Sequence, residues 1–598
     1  MKNQEIANIF YQIAIYLEMD NIPFKPQAYE KAAFALESLS EDVKDIFQRE
    51  GEEGLKKIPG VGENIAKKII EYLNTGKIKE YEKYHRQMPV KIGELIQVEG
   101  IGPKMIKALY QNLKITNLKD LEKAAAAGKL RNLPNFGEKT EKNILDSLAF
   151  LKRSRGRFLL SEALFLAEDI ILQLKKVKEI DKIVYAGSLR RMKETIGDID
   201  LLATVQPSFA AYSAEAAASA AKAGKASEGR RKVMDAFVNL DGIIKVWDYG
   251  LTKSSVRFDK KIDADLRVVD DDEFGSALQY FTGSKDHNIK TRKLAIEKNL
   301  KLNEYGVFKG KKLIAGKTEE EVYKVIGLPY MEPELREDRG EIEAALKDEL
   351  PNIIGYDEIK GDLHCHSDWD GGENSIEEMA EAAKFLGYEY LGISDHTKFL
   401  RIENGLDEKQ LLEQHKAIEK LNKKLQVSSY KFQVLHGCET NILNDGSLDI
   451  DDKVLAQLDY VIAGVHSNMK MTREEMTQRM IKAMQNPYVK IISHPTGRLI
   501  NRRDEYQLDI EKIIEVARET STALEINSFP SRLDLNDKNI RKAIEKRVKL
   551  IINTDAHHRD HLQFMRFGIG QARRGWATKK DVINTWPLDK LLNFFHQI

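Results

Sequence analysis

Ten of the thirteen histidines in this 598-residue chain fall between residues 364 and 561. They do not scatter. Short apolar runs lead into polar groups: Y-L-G-I-S into Asp395-His396, Q-V-L-H-G into Cys438-Glu439, Y-V-I-A-G-V into His466, V-K-I-I-S into His494, and L-I-I-N-T into Asp555 and His557. Short strands alternating with helical segments spell a parallel α/β sheet or barrel, and in such folds ligands sit at strand C-terminal ends. The groups following each strand therefore converge at one mouth. In Asp362-Leu363-His364-Cys365-His366, strand geometry puts His364 and His366 on one face and Cys365 on the other, which argues against a thiolate ligand. The candidate ligands are His364, His366, His396, Glu439, His466, His494, Asp555 and His557. Mixed nitrogen and oxygen ligation suits Zn²⁺, Mn²⁺ or Fe²⁺, and adjacent ions activate water and bind phosphate. One buried histidine is ordinarily a core residue; a set at successive strand ends is not explained that way. His436, His558 and His561 match no motif and are read as packing or surface.

The two cysteines, Cys365 and Cys438, cannot build a disulfide framework, as in a reducing compartment. The start M-K-N-Q-E-I-A-N-I-F lacks the layout of a signal peptide, and no window approaches the roughly 18 apolar residues of a membrane span. The expectation is a cytoplasmic globular protein. Lys plus Arg and Asp plus Glu balance at 94 each, so any affinity for nucleic acid rests on local clusters such as Lys152, Arg153, Arg155 and Arg157.

Residues 1–155 alternate helical patterns with glycine turns, and one unit recurs: K-I-P-G-V-G-E-N-I-A-K-K-I at 57–69, Q-V-E-G-I-G-P-K-M-I-K-A-L at 97–109, and N-L-P-N-F-G-E-K-T-E-K-N-I at 132–144. Gly60 and Gly62, like Gly100 and Gly102, let the backbone aim N–H groups at an anion before a helix N-terminus. Helix packing around a turn is the alternative for one copy; repetition favours a DNA phosphate. The third copy, with Asn135 in place of the first glycine, is degenerate. These units resemble helix-hairpin-helix motifs, which hold a DNA backbone without reading sequence.

From about 183 to 330 the pattern is mixed α and β. Asp198 and Asp200 of G-D-I-D-L-L share one face of a strand while Ile199 and Leu201 face the core. Asp265 on a later strand completes a carboxylate set for a two-metal phosphoryl displacement. Gly187 and Ser188 can meet a triphosphate, and Arg191 adds charge. An isolated D-x-D is more often an exposed strand edge; the neighbouring G-S-L-R-R decides for the site. Phe209–Gly229 is Ala-rich and low in complexity, an exposed helix or flexible linker. Residues 331–356, charged and carrying Pro333 and Pro351, read as a linker.

In order, G-S-L-R-R, G-D-I-D-L-L, D-L-R-V and Tyr280-Phe281-Thr282-Gly283-Ser284 resemble the palm and thumb motifs of family X DNA polymerases. That resemblance implies Mg²⁺ or Mn²⁺ held by Asp198 and Asp200, with Asp265 beside the primer 3′-hydroxyl. It puts Tyr280 and Phe281 at the sugar, and Gly187, Ser188, Arg191, Gly197, Gly283 and Asn288 around the nucleotide. Lys68 takes the place of a Schiff-base nucleophile on abasic sites. Asn64 stands where such lyases carry a second lysine, so phosphate-facing Lys67 or Lys68 is the competing reading. The later set H-x-H, D-H, E, H, H-P and D-x-H resembles the polymerase and histidinol phosphatase (PHP) domain, a distorted seven-stranded barrel with a trinuclear site. Where that family reads H-S-x-x-S-D-G, this chain has His366-Ser367-Asp368-Trp369-Asp370-Gly371, one residue out of step; Asp370 is the expected ligand.

The expected architecture is multidomain: an all-α helix-hairpin-helix region (1–80 lyase-like, 81–155 fingers-type), an α+β nucleotidyltransferase palm (156–275) with thumb (276–330), a linker (331–356) and a distorted (β/α)7 PHP barrel (357–598). The resemblance implies a monomeric repair polymerase that adds dNTPs to primers in short DNA gaps. It also implies a 3′–5′ exonuclease and an abasic-site cleavage activity. Two alternatives stand beside it: a DNA-binding PHP nuclease with a non-productive palm, and a small-molecule phosphatase on a binding scaffold.

Overall fold

The computed structural model describes the chain apart from residues 1, 40, 59, 97, 99–100, 134–135, 155, 207–214, 426–431 and 597–598. Gly100, Asn135, Arg155 and the first part of the Ala-rich stretch thus lie outside the described residues, and of the basic run only the Arg157 side chain is described. The chain divides into two compact units: Met1–Arg155 with Asn501–Arg503, and Gly156–Ile500 with Asp504–Ile598.

The first unit's elements are helices, from Lys2–Met19 to Glu138–Ser154. They enclose one core running from Ile6 to Ile78 and a second from Val90 to Leu148, joined by Tyr16 and Met19. Gly60 has φ +77°, and a Cβ there would crowd the Lys31 backbone at 3.2 Å, so the turn requires glycine. Gly62 and Gly102 are N-caps of Glu63–Thr75 and Pro103–Leu113. Pro103 opens its helix, where a missing N–H is harmless.

The second unit begins with a five-stranded sheet: β1 (Ile180–Tyr185), β2 (Asp198–Val205), β3 (Ile243–Tyr249), β4 (Lys253–Phe258) and β5 (Asp263–Val269). Their spatial order is β1-β2-β5-β4-β3. Only the β2–β5 pairing is parallel. Helices Leu160–Leu174 and Glu215–Val238 bury Leu164, Ile170, Val233, Met234 and Phe237 against the sheet. The Ala-rich stretch thus continues, from Glu215, as one helix anchored by its apolar C-terminal end. Phe274–Thr282, Lys285–Glu297, three short antiparallel strands and Glu319–Val325 form the next layer around Leu302, Val322 and Tyr323.

Residues 331–356 are not a free tether. Met331, Leu335, Arg336, Glu341 and Ile354 are buried. Arg336 pairs with Glu319 at 2.5 Å, Glu341 accepts from His287 at 2.8 Å, and Glu334 pairs with Arg573 at 2.7 Å. The charges of this stretch meet opposite charges from both sides.

The remaining residues form a parallel barrel: β6 (Gly361–Cys365), β7 (Tyr390–Ile393), β8 (Gln433–His436), β9 (Glu439–Asn441), β10 (Val461–Gly464), β11 (Val489–Ile492), β12 (Ala523–Asn527) and β13 (Leu550–Asn553). Two parallel sheets, β6-β7-β8 and β9 to β13 in order, are bridged by His396–Glu439 and Cys365–Ala556 pairings. With β8 and β9 as one interrupted strand, seven staves close on themselves. Leu363, Tyr390, Tyr460, Ile462 and Ile551 fill one end, capped by Leu588–Phe595. The palm core is completed by Ile500, Leu533 and Phe567 of this barrel region, flanked by the ion pairs Arg498–Glu194 and Arg566–Glu168, both at 2.8 Å.

Candidate active sites

Two sites are built on strand ends within the second unit. In the first, the register of β2 and β5 sets Asp200 opposite Asp265 and Asp198 opposite Asp263. Ile199 and Leu201 are buried, so the i, i+2 alternation aims Asp198 and Asp200 the other way. The short helix Gly187–Arg190 follows β1. Gly187 has φ +61°, and a Cβ there would stand 2.2 Å from Asp200 Oδ2; only glycine permits this approach. Lys253 on β4 pairs with Asp265 at 2.8 Å. Burial pushes the Asp200 carboxyl up, and Asp198 and Asp265 push it further, to about 7; burial and Asp265 raise Asp198 in the same direction. Carboxylates crowded so that one resists ionisation are the donor set a divalent cation relieves.

The nucleotide side is partly as expected. Tyr280 and Phe281 meet edge to face at 5.2 Å, with Arg267 4.4 Å above Phe281. Gly283, at φ +70°, lies beside Arg191, 3.2 Å from NH1 to a Cβ built there. The Ser188 carbonyl accepts from the Lys193 N–H at 3.1 Å, and Gly197 precedes β2 beside Arg157. Arg191 is engaged: its Nε donates to Glu337 at 2.9 Å and its NH1 to the Thr282 carbonyl. Asn288 is engaged too. Its amide accepts from Gln279 at 2.8 Å and donates to the Tyr280 carbonyl at 2.7 Å, so it braces the Tyr280 backbone. In the first unit, Lys68 is ion-paired with Glu80, which also accepts from Tyr29 Oη at 2.7 Å.

At the barrel mouth the expected residues come together around Glu439. Its Oε2 lies 2.9 Å from His396 Nδ1 and 3.4 Å from His364 Nε2; its Oε1 lies 3.3 Å from His466 Nε2 and 3.1 Å from His494 Nε2. Asp555 Oδ1 is 3.4 Å from His366 Nε2 and 3.7 Å from His364 Nε2. The His557 ring stacks on His366 with centroids 4.1 Å apart. Ligand atoms of His366, His396 and His557, of His364, His366 and Asp555, of His396, Glu439 and His466, and of His366, Asp370 and Asp395 fall into four overlapping groups within 4.8 Å.

Whether metal suits them is decided by the buried atoms left over. His364 Nε2, His366 Nε2, His396 Nδ1, His466 Nε2 and Glu439 Oε2 are buried without a hydrogen-bond partner. Such orphaned atoms are costly unless something binds them, and divalent cations fit. Burial would raise the Glu439 carboxyl, but His466, His364 and His396 hold it well below the usual range. Cys365 and Cys438 sit in the apolar core outside this cluster.

Asp370 lies against His366 and His396. Its Oδ2 accepts from His366 Nδ1 and the His396 N–H, both at 2.8 Å, and its Oδ1 from the Gly372 N–H at 2.9 Å. With both oxygens engaged, it stands behind His366. Three comparable partners went unread in the sequence: Glu525, 2.7 Å from His364 Nδ1; Asn441, 2.7 Å from His466 Nδ1; and Asp395, which accepts from Ser367 and Gln414. Arg532 was also missed, 3.3 Å from Asp555 Oδ2. Glu525 lies inside the run A-L-E-I-N, where a charged residue in a buried strand was the available signal. His436 lies outside the cluster, bonded to Gln414 at 3.0 Å.

Comparison with known proteins adds four matched regions: a helix-hairpin-helix domain at residues 1–78, a SAM-like helix-hairpin-helix tandem at 92–149, a DNA polymerase beta thumb at 277–337 and a PHP domain at 362–529. The chain is 38% identical over 595 residues, 98% of each chain, to a Bacillus subtilis protein named DNA polymerase/3′-5′ exonuclease PolX. It is 29% identical over 241 residues to an Acetivibrio thermocellus protein named "Probable phosphatase", covering 39% of this chain and 90% of that one. A like-named Clostridium acetobutylicum protein is 37% identical over 138 residues, 21% of this chain and 54% of that one.

Proposed function

This chain belongs to the PolX family of DNA polymerase/3′-5′ exonucleases, and from that premise we propose how its two sites divide the work. It is a DNA-directed DNA polymerase with a 3′–5′ exonuclease, and both activities require divalent metal. The finer assignment is the following. Asp198 and Asp200 bind Mg²⁺ or Mn²⁺ in the palm, and Asp265 sits beside the primer 3′-hydroxyl to receive its proton. Gly187, Ser188, Gly197, Gly283 and Arg191 surround the incoming dNTP, with Tyr280 and Phe281 at its sugar and Asn288 holding the Tyr280 backbone. When bound, the metal ions stabilise charge on the reacting phosphoryl group.

In the barrel, His364, His366, His396, Glu439, His466, His494, Asp555 and His557 hold up to three ions of Mn²⁺, Zn²⁺ or Fe²⁺. Asp370, Glu525 and Asn441 fix the tautomers of the histidines they touch. Arg532 adds positive charge for a scissile phosphate. Gly60, Gly62, Gly100 and Gly102 hold gapped or primer-template DNA by its backbone. Lys68, neutralised by Glu80, is left out of the chemistry, and abasic-site cleavage falls to the barrel. No helix among the described residues is long and apolar enough to cross a membrane; we place the protein in the cytoplasm as a monomer acting in short-gap repair.

The observation that carries this reading is the carboxylate patch at Gly187, paired in register across β2 and β5. Its integrity favours a productive palm over a purely DNA-binding one. The test is a gapped duplex with labelled primer, with and without dNTPs, in Mg²⁺ or Mn²⁺. Extension should vanish in Asp200→Ala alone and shortening in His366→Ala alone. Extension surviving the first change, or shortening surviving the second, would mean that site is misplaced.

A further inference from the structure

The loop that follows the G-S-L-R-R turn is gripped by the barrel. Helix Met565–Arg574 approaches so closely that a Cβ on Gly570 would stand 2.8 Å from the Met192 side chain. At the end of that helix Arg574 is 4% exposed. Its NH1 donates to the Arg191 carbonyl at 2.8 Å and to Glu337 Oε1 at 2.9 Å, and its NH2 to Asp537 at 2.6 Å. Glu337 is the same carboxylate that takes the Arg191 Nε at 2.9 Å, with Lys193 at 3.8 Å. Asp537 also takes Arg339 at 2.9 Å. Four cations, Arg191, Lys193, Arg339 and Arg574, thus share two carboxylates. Burial would raise the Glu337 carboxyl, but Arg574 and Arg191 hold it at about 2.

We infer that Arg574 is a positioning residue for nucleotide addition, a contribution of the exonuclease domain to the polymerase: by holding Glu337 and the Arg191 backbone, it frees the Arg191 guanidinium for the triphosphate of an incoming dNTP. The inference rests on the reading of the palm given above. A buried carboxylate cannot be left unpaired cheaply. With Arg574 in place, Glu337 keeps a buried cation after Arg191 turns to a phosphate. Without it, Glu337 has only the more distant Lys193 and retains Arg191. Triphosphate binding and Glu337 then compete for one guanidinium, and the consequence falls on dNTP affinity rather than on the chemical step.

The experiment is steady-state single-nucleotide gap filling by the full chain as wild type, Arg574→Met, Glu337→Gln and the double variant, with Mn²⁺-dependent primer shortening measured on each. Arg574→Met should raise KM for dNTP about tenfold, the scale of one charge-assisted hydrogen bond, with kcat and shortening within about twofold of wild type. Glu337→Gln, nearly isosteric, should lower KM, and adding it to Arg574→Met should bring KM back to within about twofold of the Glu337→Gln value, as coupled neighbours require. An unchanged KM in Arg574→Met, or failure of the double variant to recover, overturns the inference. If Arg574→Met does not fold, the sign in Glu337→Gln decides: a raised KM overturns it. Asp200→Asn is run alongside; if it still extends primers, the palm assignment itself fails, an outcome separable from any change in KM.

Discussion

Replacing Asp200 by Asn is expected to make the metal-free protein more stable while abolishing primer extension. Burial and two neighbouring carboxylates lift the Asp200 carboxyl from 3.8 to about 7. At about 1.4 kcal/mol for each tenfold change in proton affinity, the ionised form destabilises the native state by up to about 4 kcal/mol. The sign follows from proton binding. A native pKa raised above the unfolded one makes the folded chain hold the extra proton, so stability falls as pH rises from about 4 to about 7 and stays reduced above that. Asn removes the charge, and its gain should approach the ceiling at pH 8 and shrink to less than half by pH 5. Because a chain of several domains need not unfold in one step, the assay is amide hydrogen exchange of Asp198–Val205 in EDTA, supported by urea unfolding. Adding Mg²⁺ should raise protection in the wild type and not in the variant. No gain at pH 8, or an equal gain at pH 5, would refute the idea that carboxylate crowding destabilises this strand.

Other consequences are as direct. Gly187→Ala places a methyl 2.2 Å from Asp200 Oδ2 and should cut primer extension by at least about a hundredfold, on the scale of a misplaced reacting group, while Mn²⁺-dependent shortening is unchanged. Glu525→Gln weakens the partner that fixes His364; Mn²⁺ affinity, read by metal titration of shortening, should fall about 10–100-fold with extension intact. Lys68→Ala should leave borohydride trapping of the chain on abasic DNA no lower than in the wild type, since Glu80 already holds that amine. Glu319→Gln leaves Arg336, fully buried, short of a counter-charge and should cost about 3 kcal/mol of local stability, measured by exchange in Glu319–Val325.

What was legible in the sequence is what local periodicity encodes. The i, i+2 spacing of Asp198 and Asp200, the H-x-H strand and the glycine turns specify direction without any knowledge of partners; Asp198 and Asp200 share one face of β2, and His364 and His366 share the barrel mouth. Long-range pairings are different in kind. Arg191 declares its charge, but nothing near it in sequence says that Glu337, 146 positions away, will reach it. Residues 331–356 read as a linker for the same reason: a charged run declares its charges, not their counter-charges. Glu525 and Asn441 were passed over because a single polar residue in or beside a strand signals that it has a partner without saying which one.

The palm core does not close on itself: Leu533 and Phe567, both fully buried in it, are encoded far downstream of the sheet they cover. Between Val269 and Phe567 lie roughly 300 residues, and at about 5–20 residues per second a ribosome takes about 15–60 s to deliver them. Through that interval the nascent sheet stands with part of its apolar face uncovered, a natural client for a chaperone. A gene cut after residue 356 would make that transient exposure permanent, which ties the two activities to one reading frame by solubility as much as by chemistry.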